Sequence, residues 1–191
     1  MSKVAIKGAD TGTGVFTLES PATNTDRTLV LPDEAGTVDL LQRSGNVLQV
    51  VQSSFSTSTN TTSTNWTATG LAATITPSST SSKIMVVVSC PVFTNTAGSY
   101  SARYTVFRGT TAGINLGDSQ AGFLNLGVFL PASPYTGQYV TSSCAINYVD
   151  SPSTTSAQTY TFAAKSEGNS SEAGVCSGGG KGTITLVEIA G

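Results

Sequence analysis

Apolar residues of this 191-residue chain occur in short runs, and clusters of Gly, Pro, Asn, Ser and Thr separate the runs. No segment carries the 3.6-residue period of an amphipathic helix. Short apolar runs bounded by turn-forming residues are typical of β-strands. The sequence therefore predicts an all-β protein, and about eight strands at regular spacing predict a jelly-roll-like antiparallel β-sandwich.

The chain is expected to contain two units that divide near residue 45. Residues 1–45 hold short apolar pieces, such as 15–18 and 28–31, between polar stretches. Strands this short cannot enclose a core within one chain. They must either dock on the next domain or associate with identical segments, and self-association in a closed homo-oligomer is the favoured alternative. Residues 46–191 form the predicted sandwich head.

Strands of the head are expected at eight places in the sequence: 47–52, 71–76, 83–89, 100–108, 122–130, 139–149, 159–164 and 182–189. The run 83–89 is continuously apolar, which favours a strand buried on both faces. Pro91 should end that strand or place it at a sheet edge, because proline has no N–H for the ladder. The Ser-, Thr- and Asn-rich stretch 53–65 fits either a solvated strand or a flexible linker.

Charge excludes one class of partner. The chain has 9 basic and 11 acidic residues and a net charge of −2, whereas nucleic-acid binding needs clustered Lys and Arg. No window has the length and apolar character of a signal peptide or a membrane span. We therefore expect neither a nucleic-acid partner nor membrane insertion.

The chain contains no histidine, which removes the commonest general base and the commonest metal ligand. Acidic residues such as Asp118 and Asp150 are scattered and do not form a calcium-binding loop. The glycine-rich run 178–182 lacks phosphate-loop spacing and precedes a predicted strand, so a turn is the better interpretation. We expect no catalytic residue, no cofactor and no metal.

Three cysteines, Cys90, Cys144 and Cys176, lie far apart in the sequence. An odd number without CxxC spacing does not describe a closed disulfide framework. Free cysteine is among the most buried residue types, so three buried thiols are predicted. One disulfide and one free thiol is the alternative.

Most aromatic residues fall on predicted strands, where they are expected to pack in the core. Tyr135 is different, because the turn-forming residues of 131–137 surround it. Loops carry binding functions on rigid sandwiches. Tyr135 is therefore the candidate for contact with a receptor.

Residues 14–38 read GVFTLESPATNTDRTLVLPDEAGTV. This segment resembles a pattern frequent in bacteriophage fibres and related virion proteins, in which a Thr-Leu strand precedes Pro-Ala-Thr, Arg-Thr-Leu-x-Leu-Pro and Gly-Thr-Val. Five further segments resemble C-terminal domains of marine and environmental phages: 48–52, 74–84, 107–111, 148–152 and 187–191. The likeness covers nearly the whole chain, and its motifs are structural rather than catalytic.

The resemblance implies a homotrimer in the virion, synthesised in the host cytoplasm. Residues 1–45 would bind another virion structural protein, and the head would contact a glycan or protein of the host surface. The chain has almost no shaft, so it would be a short spike, a tip or a capsid decoration. The fibre-like stem and the hydroxyl-rich, weakly charged loops favour a tail fibre or tail tip. A capsid head fibre or decoration protein is the alternative, and a glycan depolymerase fits the location but not the residues.

Overall fold

The computed structural model describes residues 43–96, 101–117, 128–130, 138–168 and 171–191, together with 13, 17, 22 and 24–26. The chain separates into two units, Met1–Val38 and Asp39–Gly191, and nearly all described residues belong to the second. The strands expected within residues 1–45 lie outside the described residues, apart from Thr17. The stem therefore stays a prediction, and so does the boundary near residue 45.

The described residues form an all-β structure, as predicted. A short 3-10 turn at Ser177–Gly179 is the only helical piece in this part of the chain. The strands are β1 (Val47–Phe55), β2 (Thr59–Thr61), β3 (Thr67–Ile75), β4 (Lys83–Thr96), β5 (Ala102–Arg108), β6 (Ile114–Asn115), β7 (Val128–Leu130), β8 (Gln138–Asp150), β9 (Gln158–Ser166), β10 (Ser171–Val175) and β11 (Gly182–Ile189).

The strands form two sheets, and within each sheet the neighbouring strands pair antiparallel. The first sheet has the order β1-β11-β4-β10-β2, and β8 also pairs with β4. The second sheet has the order β3-β9-β5-β6, and β7 also pairs with β5. The antiparallel sandwich predicted from the sequence is confirmed for the described residues.

The core lies between the facing sides of the two sheets. Alternate residues of β4, among them Ile84, Val86 and Val88, are buried against side chains of the second sheet. The second sheet contributes Tyr104 and Phe162, which are fully buried. Their rings stack with centroids 6.0 Å apart. This period of two is what a strand with one face on the core requires.

Residues 83–89 were expected to be buried on both faces of the strand, and this expectation is wrong. Met85 and Val87, on the outer face of β4, are only partly buried. Met85 is flanked in register by Val187 on β11 and Val149 on β8, and Val187 is paired in turn with Val50 on β1. Val50 is 60% exposed and Val149 50% exposed. We call Val50, Val187, Met85 and Val149 the outer apolar row.

Pro91 does not end β4, contrary to the prediction, because the strand continues to Thr96. In an antiparallel ladder the N and the carbonyl oxygen of one residue point to the same side. The Pro91 carbonyl accepts a hydrogen bond from the Cys176 N–H at 2.9 Å. The missing N–H thus falls on the side where β4 changes partner, between Ser89 opposite β11 and Val92 opposite β10. No hydrogen bond to β8 is lost.

The polar stretch 53–65 is part of the sandwich. β1 continues to Phe55, and Thr59–Thr61 pairs with β10. The Ser63 carbonyl accepts a hydrogen bond from the Ser166 N–H at 2.8 Å. The solvated-strand interpretation is therefore the better one, and the flexible-linker interpretation is wrong for most of this stretch.

Candidate functional site

An open groove of about 470 Å³ lies beside the β5–β6 hairpin and the beginning of β9. We call it the hairpin groove. Loops and strand ends build it, which is where rigid sandwiches commonly carry binding sites. Its described lining residues are Arg108, Gly109, Thr110, Gly113, Ile114, Ala157, Gln158, Thr159 and Thr161.

Glycine shapes the turn at one wall of the groove. Gly109 has a φ of +93°, a conformation that other residues rarely adopt. A Cβ at Gly113 would lie 2.3 Å from the Arg108 carbonyl oxygen, so only glycine fits there. The Gly113 N–H donates to the Thr110 carbonyl at 2.8 Å, and Ile114 then pairs with Arg108. The local sequence thus fixes the hairpin that presents Ile114.

A buried polar network supports this wall. The Arg108 guanidinium donates to both carboxylate oxygens of Asp150, at 3.2 and 2.9 Å. The Tyr160 hydroxyl donates to one of them at 2.8 Å. Burial raises the pKa of Tyr160, and the hydrogen bond to Asp150 raises it further, so the phenol stays a donor. Arg108 is the one ionisable side chain among the described lining residues, and Asp150 balances its charge.

The rest of the lining is uncharged and polar, with one apolar side chain. The Thr161 hydroxyl donates to the Gly109 carbonyl at 2.7 Å and keeps its lone pairs as acceptors. Thr159 is exposed, Gln158 is half-buried, and Ile114 is 54% exposed. Hydroxyl and carboxamide groups around an apolar patch suit an uncharged, hydroxylated ligand such as a glycan.

Trp66 lies on the face of the second sheet that carries Phe107 and the groove residue Thr161. Phe107 pairs with Thr161 of the groove, and the rings of Phe107 and Trp66 meet edge to face with centroids 5.8 Å apart. The Lys165 ammonium lies 5.2 Å from the centroid of the Trp66 ring and 3.1 Å from a Glu167 carboxylate oxygen. Trp66 therefore packs on the outer face of the second sheet.

The site residue predicted from the sequence, Tyr135, lies outside the described residues, so its role stays a prediction. Asp150 was noted only as a scattered carboxylate, and the structure places it under the groove. No signal in the sequence joins it to Arg108, which is 42 residues away. The three cysteines are buried thiols, as predicted.

The described part of the chain offers neither a cluster of metal ligands nor a membrane-spanning helix. It holds no group of three or more Cys, Asp or Glu side chains that could bind a metal ion. None of the helical segments there is long and apolar enough to cross a membrane.

Comparison with known proteins gives no family for this chain. No protein-family model matches it, and neither does any curated protein. Its function is therefore inferred from its residues and their geometry.

Proposed function

We propose that this protein is a structural, non-enzymatic component of a bacteriophage particle. Residues 1–45 attach it to another virion protein, and the sandwich of residues 46–191 binds the host surface as the head of a short tail fibre or tail tip. The fibre-like pattern of residues 14–38 and the antiparallel sandwich support this proposal.

The hairpin groove is the observation that carries the host-binding part of the proposal. It is open, it lies on strands β5 and β9 of the second sheet, and the ion pair between Arg108 and Asp150 balances the charge of the lining. An uncharged polar groove fits the hydroxyl groups of a surface polysaccharide better than it fits an anionic polymer. Recognition is proposed to use Thr159, Gln158 and the apolar surface of Ile114.

The outer apolar row supports assembly into a homotrimer. Four apolar side chains, Val50, Val187, Met85 and Val149, cross four strands with no charged residue among them. Contiguous exposed apolar groups on a soluble protein mark interaction surfaces. A second copy of the chain would cover such a row without burying an unpaired charge.

The roles of the buried ionisable groups support a non-enzymatic protein. Asp150 is held by Arg108 and Tyr160, and Glu188 is held by Gln49 and Ser78. Both carboxylates are buried and already engaged in hydrogen bonds. The chain also has no histidine to act as a general base.

The groove is tested with the full-length protein, labelled with a fluorophore, on bacterial cells that the phage infects and on an array of purified surface polysaccharides. Ile114→Arg puts a long charged side chain into the groove at an exposed position, so the fold should be preserved. We expect cell binding to fall at least tenfold. Thr57→Arg, on the exposed loop between β1 and β2, adds the same side chain elsewhere and should bind like wild type. Equal binding by both variants would contradict the proposal that the hairpin groove binds the host surface.

The place in the virion is tested by electron microscopy of phage particles with antibodies against the head. Label at the tail supports a tail fibre or tail tip. Label spread over the capsid would replace that proposal with a capsid head fibre or decoration protein. Sustained release of reducing sugar from a host polysaccharide by the purified protein would instead support the alternative that the protein is a glycan depolymerase.

A further inference from the structure

The three cysteines of this chain meet in the core of the sandwich. Cys90 and Cys144 are opposite each other on β4 and β8. The sulfur atoms of Cys90 and Cys176 lie 3.9 Å apart, and both side chains are fully buried. Two thiols that are distant in the sequence therefore already touch in the folded protein.

The backbone at Cys176 turns its thiol towards Cys90. In β10, Ala173 and Val175 point inwards, so strand alternation would place Cys176 outside. Cys176 instead has a φ of +57°, which is uncommon for a residue with a side chain. Its N–H also donates to the Pro91 carbonyl at 2.9 Å, which holds it beside the neighbour of Cys90. A strained conformation at this position points to a specific use of the thiol.

Space for the sulfur of Cys90 is provided by Gly182 at the beginning of β11. A Cβ at Gly182 would lie 2.6 Å from the Cys90 sulfur. Any other residue there would push the sulfur away from its present position. The close approach of the two thiols thus depends on two local features, the glycine at 182 and the left-handed turn at Cys176.

We propose that Cys90 and Cys176 form an intramolecular disulfide when the folded protein meets a low-molecular-weight disulfide such as oxidised glutathione, while Cys144 stays a thiol. One protein thiolate attacks the glutathione disulfide and releases one glutathione, and the second attacks the mixed disulfide and releases the other. Two S–H bonds and one S–S bond break, one protein S–S bond forms, and the two protons end on two glutathione thiols.

The reaction should be slow while the sandwich is closed. Burial raises the pKa of the Cys90 thiol, and the neighbouring Cys176 raises it further; burial also raises the pKa of Cys144 to about 12. The thiolate is the reacting form, so oxidation needs a local opening. The turn Ser177–Gly179 next to Cys176 is exposed and is the place where such an opening exposes a thiol.

The bond would connect β4 to the turn between β10 and β11 and so close a loop across 86 positions of the sequence. A crosslink over so long a loop restricts the unfolded chain strongly. The protein would thus become more stable after release from a reducing cytoplasm. The proposal stands on the geometry of the core and holds whichever surface the groove binds.

Trypsin separates the three cysteines, since Cys90 falls in peptide 84–103, Cys144 in 109–165 and Cys176 in 166–181. The full-length protein is incubated with oxidised glutathione, alkylated in denaturant and digested without reduction. Mass spectrometry should find 84–103 linked to 166–181 and an alkylated Cys144. Three alkylated thiols, or a link to 109–165, would overturn the proposal.

Melting temperatures supply the second readout. Oxidation should raise the Tm of the wild type by roughly 5–10 °C, and a reducing agent should reverse the rise. Cys144→Ser is the matched control, because it removes a buried thiol and should keep both the linked peptides and the rise. Cys176→Ser, checked for folding by circular dichroism, should lose both. A rise in Cys176→Ser equal to that of the wild type would contradict the assignment.

Discussion

Glu188 on β11 accepts two hydrogen bonds from Ser78, one from its backbone N–H at 2.6 Å and one from its hydroxyl at 2.7 Å. Its other carboxylate oxygen accepts from the Gln49 amide at 2.5 Å. The side chain is fully buried. A single carboxylate therefore connects the end of β11 to β1 and to the loop between β3 and β4.

This carboxylate should make stability depend on acid. Burial by itself would raise the pKa of Glu188, but the hydrogen bonds from Gln49 and Ser78 outweigh it and lower the pKa from 4.5 to about 2. The folded protein thus binds this proton more weakly than the unfolded chain. The stabilisation is complete above pH 4.5 and is lost as the pH falls towards 2. About 3 kcal/mol of unfolding free energy is expected to disappear over this window, measured by urea unfolding at each pH.

Glu188→Gln isolates the contribution of this group. The amide cannot carry the charge that the three donors stabilise, so we expect the variant to lose about 2–4 kcal/mol at neutral pH. Its stability should then change less than that of the wild type between pH 4.5 and 2. Glu172→Gln, at a partly exposed position of β10, is the control and should keep the wild-type acid dependence. An unchanged acid dependence in Glu188→Gln would show that another group is responsible.

A close approach between β4 and β10 gives a second prediction. A Cβ at Gly174 would lie 2.1 Å from the ring of Phe93, which is buried and has its backbone carbonyl hydrogen-bonded to the Tyr104 hydroxyl. Gly174→Ala should therefore cost about 1–3 kcal/mol by overpacking. Phe93→Leu removes the clashing atoms, so Gly174→Ala should cost less in that background. Urea unfolding of the two single variants and the double variant measures the coupling, and strict additivity would contradict the clash.

The sequence predicted the architecture because the pattern of apolar residues acts locally. The strand expected at 182–189 coincides with β11, and those expected at 139–149 and 159–164 differ from β8 and β9 by at most two residues at either end. β10 was missed, because its sequence Ser-Glu-Ala-Gly-Val has little apolar character. It exists as a strand because β4 and β2 provide partners on its two sides.

Local sequence patterns could not predict contacts between residues that are distant in the sequence. Pro91 reads as a strand end when only its neighbours are considered, and it is tolerated because β4 changes partner there. The groove depends in the same way on Arg108 and Asp150, which the sheets bring together across 42 positions. A single sequence gives composition and period, whereas these contacts depend on which strand lies next to which.

The outer apolar row gives the last prediction, which concerns assembly. If further copies of the chain cover this row, then Val50→Asp places a charge in an apolar contact and should weaken association at least tenfold, the equivalent of about 1.4 kcal/mol. Val50 is 60% exposed in the single chain, so the folded protomer itself should lose little stability. Light scattering over a range of protein concentrations, with circular dichroism to confirm folding, measures both effects.

Ser54→Asp is the matched control for this substitution. Ser54 is exposed on the same face of the same strand, four residues from Val50, and is paired with Thr183 rather than with an apolar residue. A strand rises about 3.3 Å per residue, which places Ser54 roughly 13 Å along the strand, beyond the row. The control should keep the wild-type mass. If Val50→Asp also keeps that mass at low micromolar concentration, the row is not part of the interface, and self-association has another source, for which residues 1–45 are the proposed segment. Because a trimer held by those residues alone would resist this substitution, the pair of variants separates the two sources of assembly.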